Sequence, residues 1–288
     1  MKNTSDEKTI IRGVSRREVL QGATAFGALA MTGLLSGRPA SAQPKKGGLL
    51  RIGMGHGATT DSYDPATWDQ AFVQVFAAAR HGYLTEVAAD GSLIGEVADS
   101  WESTPDAGVW RFKLRDGLTF HSGKPVTTDD VIASINHHRG EDSKSGAKPI
   151  VQEIVEMKAE GTDVLVFTLA GGNADFPFVL SDYHLPIMPS ADGKIDPTSP
   201  DGCGGYMVES YEPGVRAQLK RNPNYWKTDR AHFDGIEMLS ILDAAARQNA
   251  LVTGEVDVID RVDLNTVHLL KRAPSIEILD TTGTQHFT

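Results

Sequence analysis

The sequence predicts an α/β protein with a mainly β region built into it, and three observations predict it. Between Gly235 and Leu279, strand-like runs alternate with helical runs of about ten residues, the rhythm of a βαβ layer with helices packed on its sheet. Between Glu86 and Leu169 the pattern is strands and turns with a single helix. The chain is also large enough for one large or two ordinary domains, with 288 residues of which 40% are apolar.

Taken in order, residues 1–42 belong to export. Ser15-Arg16-Arg17-Glu18-Val19-Leu20-Gln21 is followed by a Gly/Ala/Leu run from Gly22 to Leu35 and then by Arg38-Pro39-Ala40-Ser41-Ala42. Paired arginines, a weakly apolar segment and a small-x-small site make a cleaved twin-arginine signal, with cleavage after Ala42. The apolar run is too short to span a hydrocarbon core of ~30 Å. Gln43 to Gly48 is then a short basic tether, and Leu49–Met54 a first strand. Phe72, Phe76, Ala79 and Tyr83 recur at helical spacing.

In the middle region, Trp110, Phe112 and Leu114 alternate with Arg111, Lys113 and Arg115, as in a strand with one wet face. Thr127 caps a helix through Asp130, with Asp129 and Asp130 at the positive end of its dipole and Val131, Ile135 and His138 on its buried side. Tyr206–Tyr211 and Arg216–Leu219 flank Glu212-Pro213-Gly214 as a hairpin. Gly235–Leu242 is a strand, and Asp243 caps a helix that stops at Gly254. Glu255–Ile259 is a strand, Asp263 caps a helix through Arg272, and Ser275–Leu279 is a last strand.

A net charge of -10, from 28 Lys+Arg against 38 Asp+Glu, argues against nucleic acid or an anionic membrane surface as partner. Loss of residues 1–42 removes six basic and three acidic residues and takes the charge to -13. Cys203 is the single cysteine, so no disulfide forms within the chain.

Gly53-Met54-Gly55-His56-Gly57-Ala58 matches G-x-G-x-x-A after a strand, but Thr59 to Pro65 supplies β-branched residues and a proline where a phosphate-binding helix would start. A glycine-rich loop that brings backbone close to a ligand or to another segment fits better, and no cofactor is expected. His121, Ser122 and Asp129 could form a nucleophilic set in an exported hydrolase. Ser122 sits on a Gly-Pro turn without a G-x-S-x-G elbow, so a turn and a helix cap are the better reading. His137 and His138 are adjacent on a helix, about 100° apart, and cannot chelate a metal together. Tyr63, Trp68 and Tyr83 either line a pocket or join the core. Asn222 to Trp226 covers an edge of the sheet.

Leu114-Arg115-Asp116-Gly117-Leu118-Thr119-Phe120-His121-Ser122-Gly123-Lys124-Pro125-Val126-Thr127-Thr128-Asp129-Asp130-Val131 closely resembles the "LRDGVTFHDGTPFTAEDV" run of the family 5 extracellular solute-binding proteins, the peptide/nickel-type receptors of ABC importers. Val97 to Glu102, Gly204-Gly205-Tyr206 through Arg221 to Trp226, and Leu251 to Asp257 agree with that family in the same order. Cys203-Gly204-Gly205-Tyr206 departs from it, where relatives more often carry Thr-Gly-Pro-Tyr, and Cys203 is read as a small semi-buried residue.

The resemblance implies a periplasmic binding protein-like, two-lobe α/β architecture of type II with an extra subdomain, the second lobe largely missing. It implies a first lobe built from residues 43–66 and 186–282, an extra mainly β subdomain at 67–185, and a crossing to the second lobe beginning at 283–288. It implies capture of a peptide or similar small-molecule ligand by closure of the lobes, then docking on an ABC permease with its ATPase subunits, after export by the twin-arginine machinery, the receptor being a monomer. Ligand-binding candidates are Gly57, Ala58, Thr59 and Thr60, then Asp69, Gln70 and Ala71, and the crossing residues Gln285 and His286. No catalytic or metal-binding residue is expected. A truncated, non-functional fragment with a half-built cleft is the remaining alternative.

Overall fold

The computed structural model describes residues 8–12 and 44–280. Arg16-Arg17, the cleavage site after Ala42 and the crossing residues Gln285 and His286 lie outside the described residues.

The elements begin with β1 (Lys8–Arg12) and β2 (Leu49–Met54). The Asp64 carboxylate caps a single turn at Pro65–Thr67 through the Ala66 N–H at 2.9 Å, and α1 (Ala71–Arg80) follows. Phe72 and Phe76 lie on one face of α1 and are fully buried, as the helical spacing predicts. The backbone becomes extended at His81, so Tyr83 lies beyond the helix. Next come β3 (Thr85–Val87), β4 (Leu93–Gly95), β5 (Ala98–Ser103), β6 (Val109–Leu114), α2 (Thr128–Asn136), α3 (Lys148–Val151), β7 (Ile154–Glu160), β8 (Val164–Leu169) and α4 (Phe176–Val179). The chain then runs through β9 (Ser190–Ala191), β10 (Lys194–Ile195), β11 (Tyr206–Glu212), β12 (Arg216–Arg221), β13 (Gly235–Ser240), α5 (Ala244–Thr253), β14 (Val258–Ile259), α6 (Val267–Leu270) and β15 (Ile276–Asp280).

One antiparallel sheet has the order β5-β6-β8-β7. Trp110, Phe112 and Leu114 of β6 face inward and Arg111 and Lys113 outward, the alternation read from sequence. Phe112, Phe167 and Phe176 interlock edge to face at 5.1–6.4 Å between ring centroids. Each such side chain stabilises the layer by about 1.5–3 kcal/mol through burial.

α2 lies against this core through Val131 and Ile135. Its first turn is organised by Asp130, a fully buried carboxylate that accepts from the Thr127 N–H (2.9 Å) and hydroxyl (3.0 Å), from the Ser190 N–H (2.7 Å) and hydroxyl (2.8 Å), and from Lys124. Burial works to raise the Asp130 carboxyl, but Lys124 and Ser190 outweigh it and hold it below the usual carboxylate range.

The larger sheet has the order β11-β12-β13-β2-β14-β1-β15. β13, β2 and β14 are parallel, with Ile236 opposite Leu50, Met238 opposite Ile52, and Ile259 opposite Gly53. The connection from β13 to β14 runs through α5, the βαβ unit the sequence predicts, with β2 lying between its two strands. Asp257 clamps β2 by accepting from the Arg51 N–H, Nε and Nη2 at 2.8–3.0 Å. β1, within the segment read as export peptide, lies antiparallel between β14 and β15, and its β-branched Thr9-Ile10-Ile11 suits a strand.

Four local expectations change. The strand read at Glu255–Ile259 is only Val258–Ile259, because the N–H groups of Glu255 and Val256 turn back onto the Ala250 carbonyl after α5. The helix read from Asp263 shrinks to the single turn α6, since the Asp263 carboxylate accepts from Asn265 and its carbonyl from Thr266 in a preceding turn. Cys203 is buried rather than semi-buried, and burial pushes its thiol up to about 12. Asn222 to Trp226 joins the two sheets rather than covering an edge: Asn222 donates to the Gly204 carbonyl, Trp226 packs against the β5–β8 core, and Arg115 sits 4.2 Å over its ring.

Replacing Asp130 with Asn should lower unfolding free energy by about 2–4 kcal/mol, measured by denaturant titration at neutral pH. A depressed folded pKa means this contribution is present above the unfolded value of about 3.9 and lost as pH falls through the folded value, so wild type and variant should converge in acid.

Candidate functional site

In an open α/β sheet the crevice lies beyond the carboxyl ends of parallel strands. Here β13, β2 and β14 end together at Ser240, Met54 and Ile259, and the loops that follow them meet. These loops are held from beneath by Arg247 of α5, which is 4% exposed. Its Nη1 donates to the Ile241 carbonyl (2.6 Å) and the Leu242 carbonyl (3.2 Å), its Nη2 to the Arg261 carbonyl (3.1 Å), and its Nε to the Asp260 carbonyl (3.3 Å). The Asp260 carboxylate lies 3.4 Å from Nε and accepts from the Gly55 N–H at 2.9 Å. Burial is the main cause of an upward shift of the Asp260 carboxyl.

The loop after β2 carries the first group of sequence candidates. Gly57 has no room for a side chain, since a Cβ there would meet Ser240 Oγ at 2.6 Å and the Phe72 ring at 3.5 Å. From the other side, Gly214 at the tip of the β11–β12 hairpin (φ +71°) brings its Cα so close that a Cβ would lie 2.6 Å from the Thr59 nitrogen. Asp61 closes the loop by accepting from the Ala58 N–H at 3.0 Å. Gly57 to Thr60 is thus clamped between the end of β13, the start of α1 and a hairpin, and Thr59 and Thr60 remain exposed.

Asp69, Gln70 and Ala71 lie at the start of α1, immediately before Phe72. Asp69 is exposed, Gln70 occupies the N-cap without a side-chain bond, and Ala71 is half-buried. Trp68 and Tyr83 belong to the core, while Tyr63 stays half-buried beside Tyr211, with ring centroids 5.2 Å apart, in a cavity of about 340 Å³. Arg80 lies behind Tyr63, fully buried, its guanidinium 4.7 Å from that ring, and burial lowers it to about 10.

His121 and Ser122 have separate engagements. His121 Nε2 bonds the Gly204 carbonyl at 3.0 Å, and the Ser122 N–H donates to Asp201 at 3.2 Å. His137 bonds Asp64 at 2.7 Å and His138 bonds the Ser145 hydroxyl at 2.6 Å. Among the described residues no group of three or more His, Cys, Asp or Glu side chains is placed to hold a metal ion, and no helix is long and apolar enough to cross a membrane.

Sequence reasoning missed Arg247, Asp260, His56 and Arg261. His56 (φ +59°) and Arg261 (φ +46°) both occupy the left-handed region without being glycine, each at a backbone cost on the order of 1 kcal/mol. Arg261 Nη1 meets His56 Nε2 at 2.6 Å across the ends of β2 and β14. The available signal was the βαβ pattern, which places residues 260 and 261 at a strand's carboxyl end.

The loops after β13, β2 and β14 converge on the buried Arg247, at the position where open α/β sheets bind their ligands. Residues 92–288 match the family described as bacterial extracellular solute-binding proteins, family 5 middle, and the chain belongs to that family. It is 25% identical over 198 residues to the probable D,D-dipeptide-binding periplasmic protein DdpA of Escherichia coli K12, covering 65% of this chain and 37% of that protein. It is 25% identical over 287 residues to the probable peptide ABC transporter periplasmic-binding protein y4tO of Sinorhizobium fredii, covering 92% of this chain and 52% of that one. Among solved structures it resembles the periplasmic binding protein AgaA in complex with agropinic acid from A. tumefaciens R10, with TM-score 0.73, 25% identity, and 79% and 46% of the two chains covered. DppA from Helicobacter pylori in complex with the peptide STSA shares the fold, with TM-score 0.71, 23% identity, and 80% and 50% covered. The chain spans about half or less of the length of these relatives.

Two substitutions probe the site's construction. Arg247→Leu should cost about 3–5 kcal/mol in unfolding free energy by denaturant titration, because it leaves the Asp260 carboxylate and several carbonyls buried without their donor. Gly57→Ala should cost about 1–3 kcal/mol, with part of the loss recovered on adding Ser240→Ala, as a double-mutant cycle would show.

Proposed function

We propose that this chain is the N-terminal part of the substrate-binding component of an ABC importer, a protein that captures peptides or similar small solutes in the periplasm and delivers them to a membrane permease and its ATPase subunits. The observation that carries this reading is the meeting of three loops at the carboxyl ends of β13, β2 and β14, held by Arg247 in a chain of the solute-binding family. The names of the relatives, with D,D-dipeptide, peptide and agropinic acid as ligands, support a small polar solute.

In this reading residues 43–66 and 186–282 make a first lobe, 67–185 an extra subdomain, and 283–288 the start of a crossing to a second lobe. Ligand contacts come from Gly57 to Thr60, from Asp69 to Ala71, and from Gln285 and His286. The protein acts as a monomer and not as an enzyme. A twin-arginine signal carries it across the membrane, and cleavage after Ala42 removes β1 from between β14 and β15.

The test is thermal unfolding of the mature protein with di- and oligopeptides, nickel chelates, opines and oligosaccharides. A ligand present at 100 times its dissociation constant should add about 2.7 kcal/mol of stability. Absence of stabilisation across the whole panel would sink the reading.

A further inference from the structure

The loop after β2 also borders the cavity of about 340 Å³ that runs from Asp61 and Asp64 to Pro197 and Thr198, and to Tyr211 and Pro213 of the β11–β12 hairpin. Two proline rings and two tyrosine rings make most of its wall. Tyr63 and Tyr211 lie 5.2 Å apart between centroids, and Phe76 of α1 backs both, at 6.0 and 4.6 Å, so the rings are fixed by the core behind them.

Asp61 stands out in this wall, because it is a buried carboxylate, 8% exposed, without a counter-charge. Its Oδ2 accepts from the Ala58 N–H at 3.0 Å; among the described residues Oδ1 has no donor and the carboxylate no cation. Burial raises the Asp61 carboxyl, the Ala58 N–H opposes the rise, and the charge of Asp69 adds to it. The neighbouring charges are engaged elsewhere. Asp64 is held by His137 and the Ala66 N–H, and the Arg80 guanidinium donates to the Tyr63 and Ser199 carbonyls, each at 3.4 Å. The Tyr211 hydroxyl is buried and makes no hydrogen bond among the described residues. After burial, the Asp61 charge is the next cause that raises the Tyr211 phenol, which puts the two groups within electrostatic reach of each other.

A carboxylate taken out of water without a cation costs stability, and an orphaned hydroxyl adds to that cost. One kind of visitor answers both. A primary ammonium carries the missing charge and has three N–H donors, enough for Asp61 Oδ1 and the Tyr211 oxygen together, and tyrosine rings attract cations.

We propose that this cavity is an ammonium subsite, in which a primary ammonium group of the solute pairs with Asp61 and donates to the Tyr211 hydroxyl between the Tyr63 and Tyr211 rings. The proposal rests on the reading of the chain as a solute-binding protein, and it narrows the solutes to those bearing a primary ammonium over neutral or anionic ones.

The experiment titrates n-butylammonium into the full chain while the ring resonances of Tyr63 and Tyr211 are followed by NMR, with n-butanol, n-butyrate and tetramethylammonium as neutral, anionic and non-donating counterparts. n-Butylammonium should shift both rings saturably, and each counterpart should bind at least about tenfold more weakly. Asp61→Asn keeps an oxygen for the Ala58 N–H and removes the buried charge, so it should unfold at the same or a higher temperature than wild type yet lose about tenfold in n-butylammonium affinity. Tyr211→Phe keeps the ring and its stacking on Phe76, and should lose about fivefold at unchanged stability. No saturable shift, a counterpart that binds as tightly as n-butylammonium, or an affinity unchanged in folded Asp61→Asn or Tyr211→Phe would overturn the subsite. Thermal stabilisation by the solute panel is measured on the same samples. Stabilisation by panel solutes without an n-butylammonium response would remove the subsite and leave the importer reading, and the opposite pair of results would leave the subsite and remove that reading.

Discussion

The meeting of three strand ends depends on one buried guanidinium. Parallel strands leave backbone carbonyls at their carboxyl ends that no ladder satisfies, and three such ends meet at β13, β2 and β14. Arg247 answers four carbonyls and one carboxylate from a single side chain. Lysine could not replace it, since a point-like ammonium lacks the five fixed donors this requires. Arg247 also belongs to α5, the crossover between two of the strands it serves. The element that makes the βαβ unit therefore also satisfies the polar groups that unit leaves behind.

From that base, rigidity extends to the loop after β2. Gly57 and Gly214 permit close contacts with Ser240 and Thr59 that any side chain would block, so Gly57 to Thr60 is fixed by packing on two sides. The second sheet is tied to the same region. His137 of the α2 segment bonds Asp64, and burial, which would raise that carboxyl, is outweighed by His137 and the Ala66 N–H. Lys227 reaches from the larger sheet's side to Glu96 at 2.8 Å and to Glu86. The two cores are thus tied to each other through these ion pairs.

The histidine, serine and aspartates between His121 and Asp130 show how a catalytic-looking cluster can be structural. The buried carboxylate at Asp130 closes a capping box and gathers Lys124 and Ser190, while His121 and Ser122 attach the following turn to Gly204 and Asp201. Their proximity in sequence reflects a turn leading into a helix. Neighbours in sequence therefore have different partners in space.

The sequence by itself determined the α/β class, the β region with the inserted helix α2 but not the short α3, the hairpin at Glu212–Gly214 and the family, because periodicity, caps and glycine turns act over a few residues. It pointed to Gly57 through Thr60 by the density of glycine after a strand. It overestimated β14 and α6, where turn hydrogen bonds donated by Val256 and accepted by Asp263 compete with regular structure, a contest local propensity cannot decide. Only the tertiary structure decided that Arg247, thirteen residues before Asp260, would hold three loops, and that His56 would meet Arg261 across 205 residues of chain. Those contacts follow from which strands lie side by side, and no local pattern records that β2 is inserted between β13 and β14.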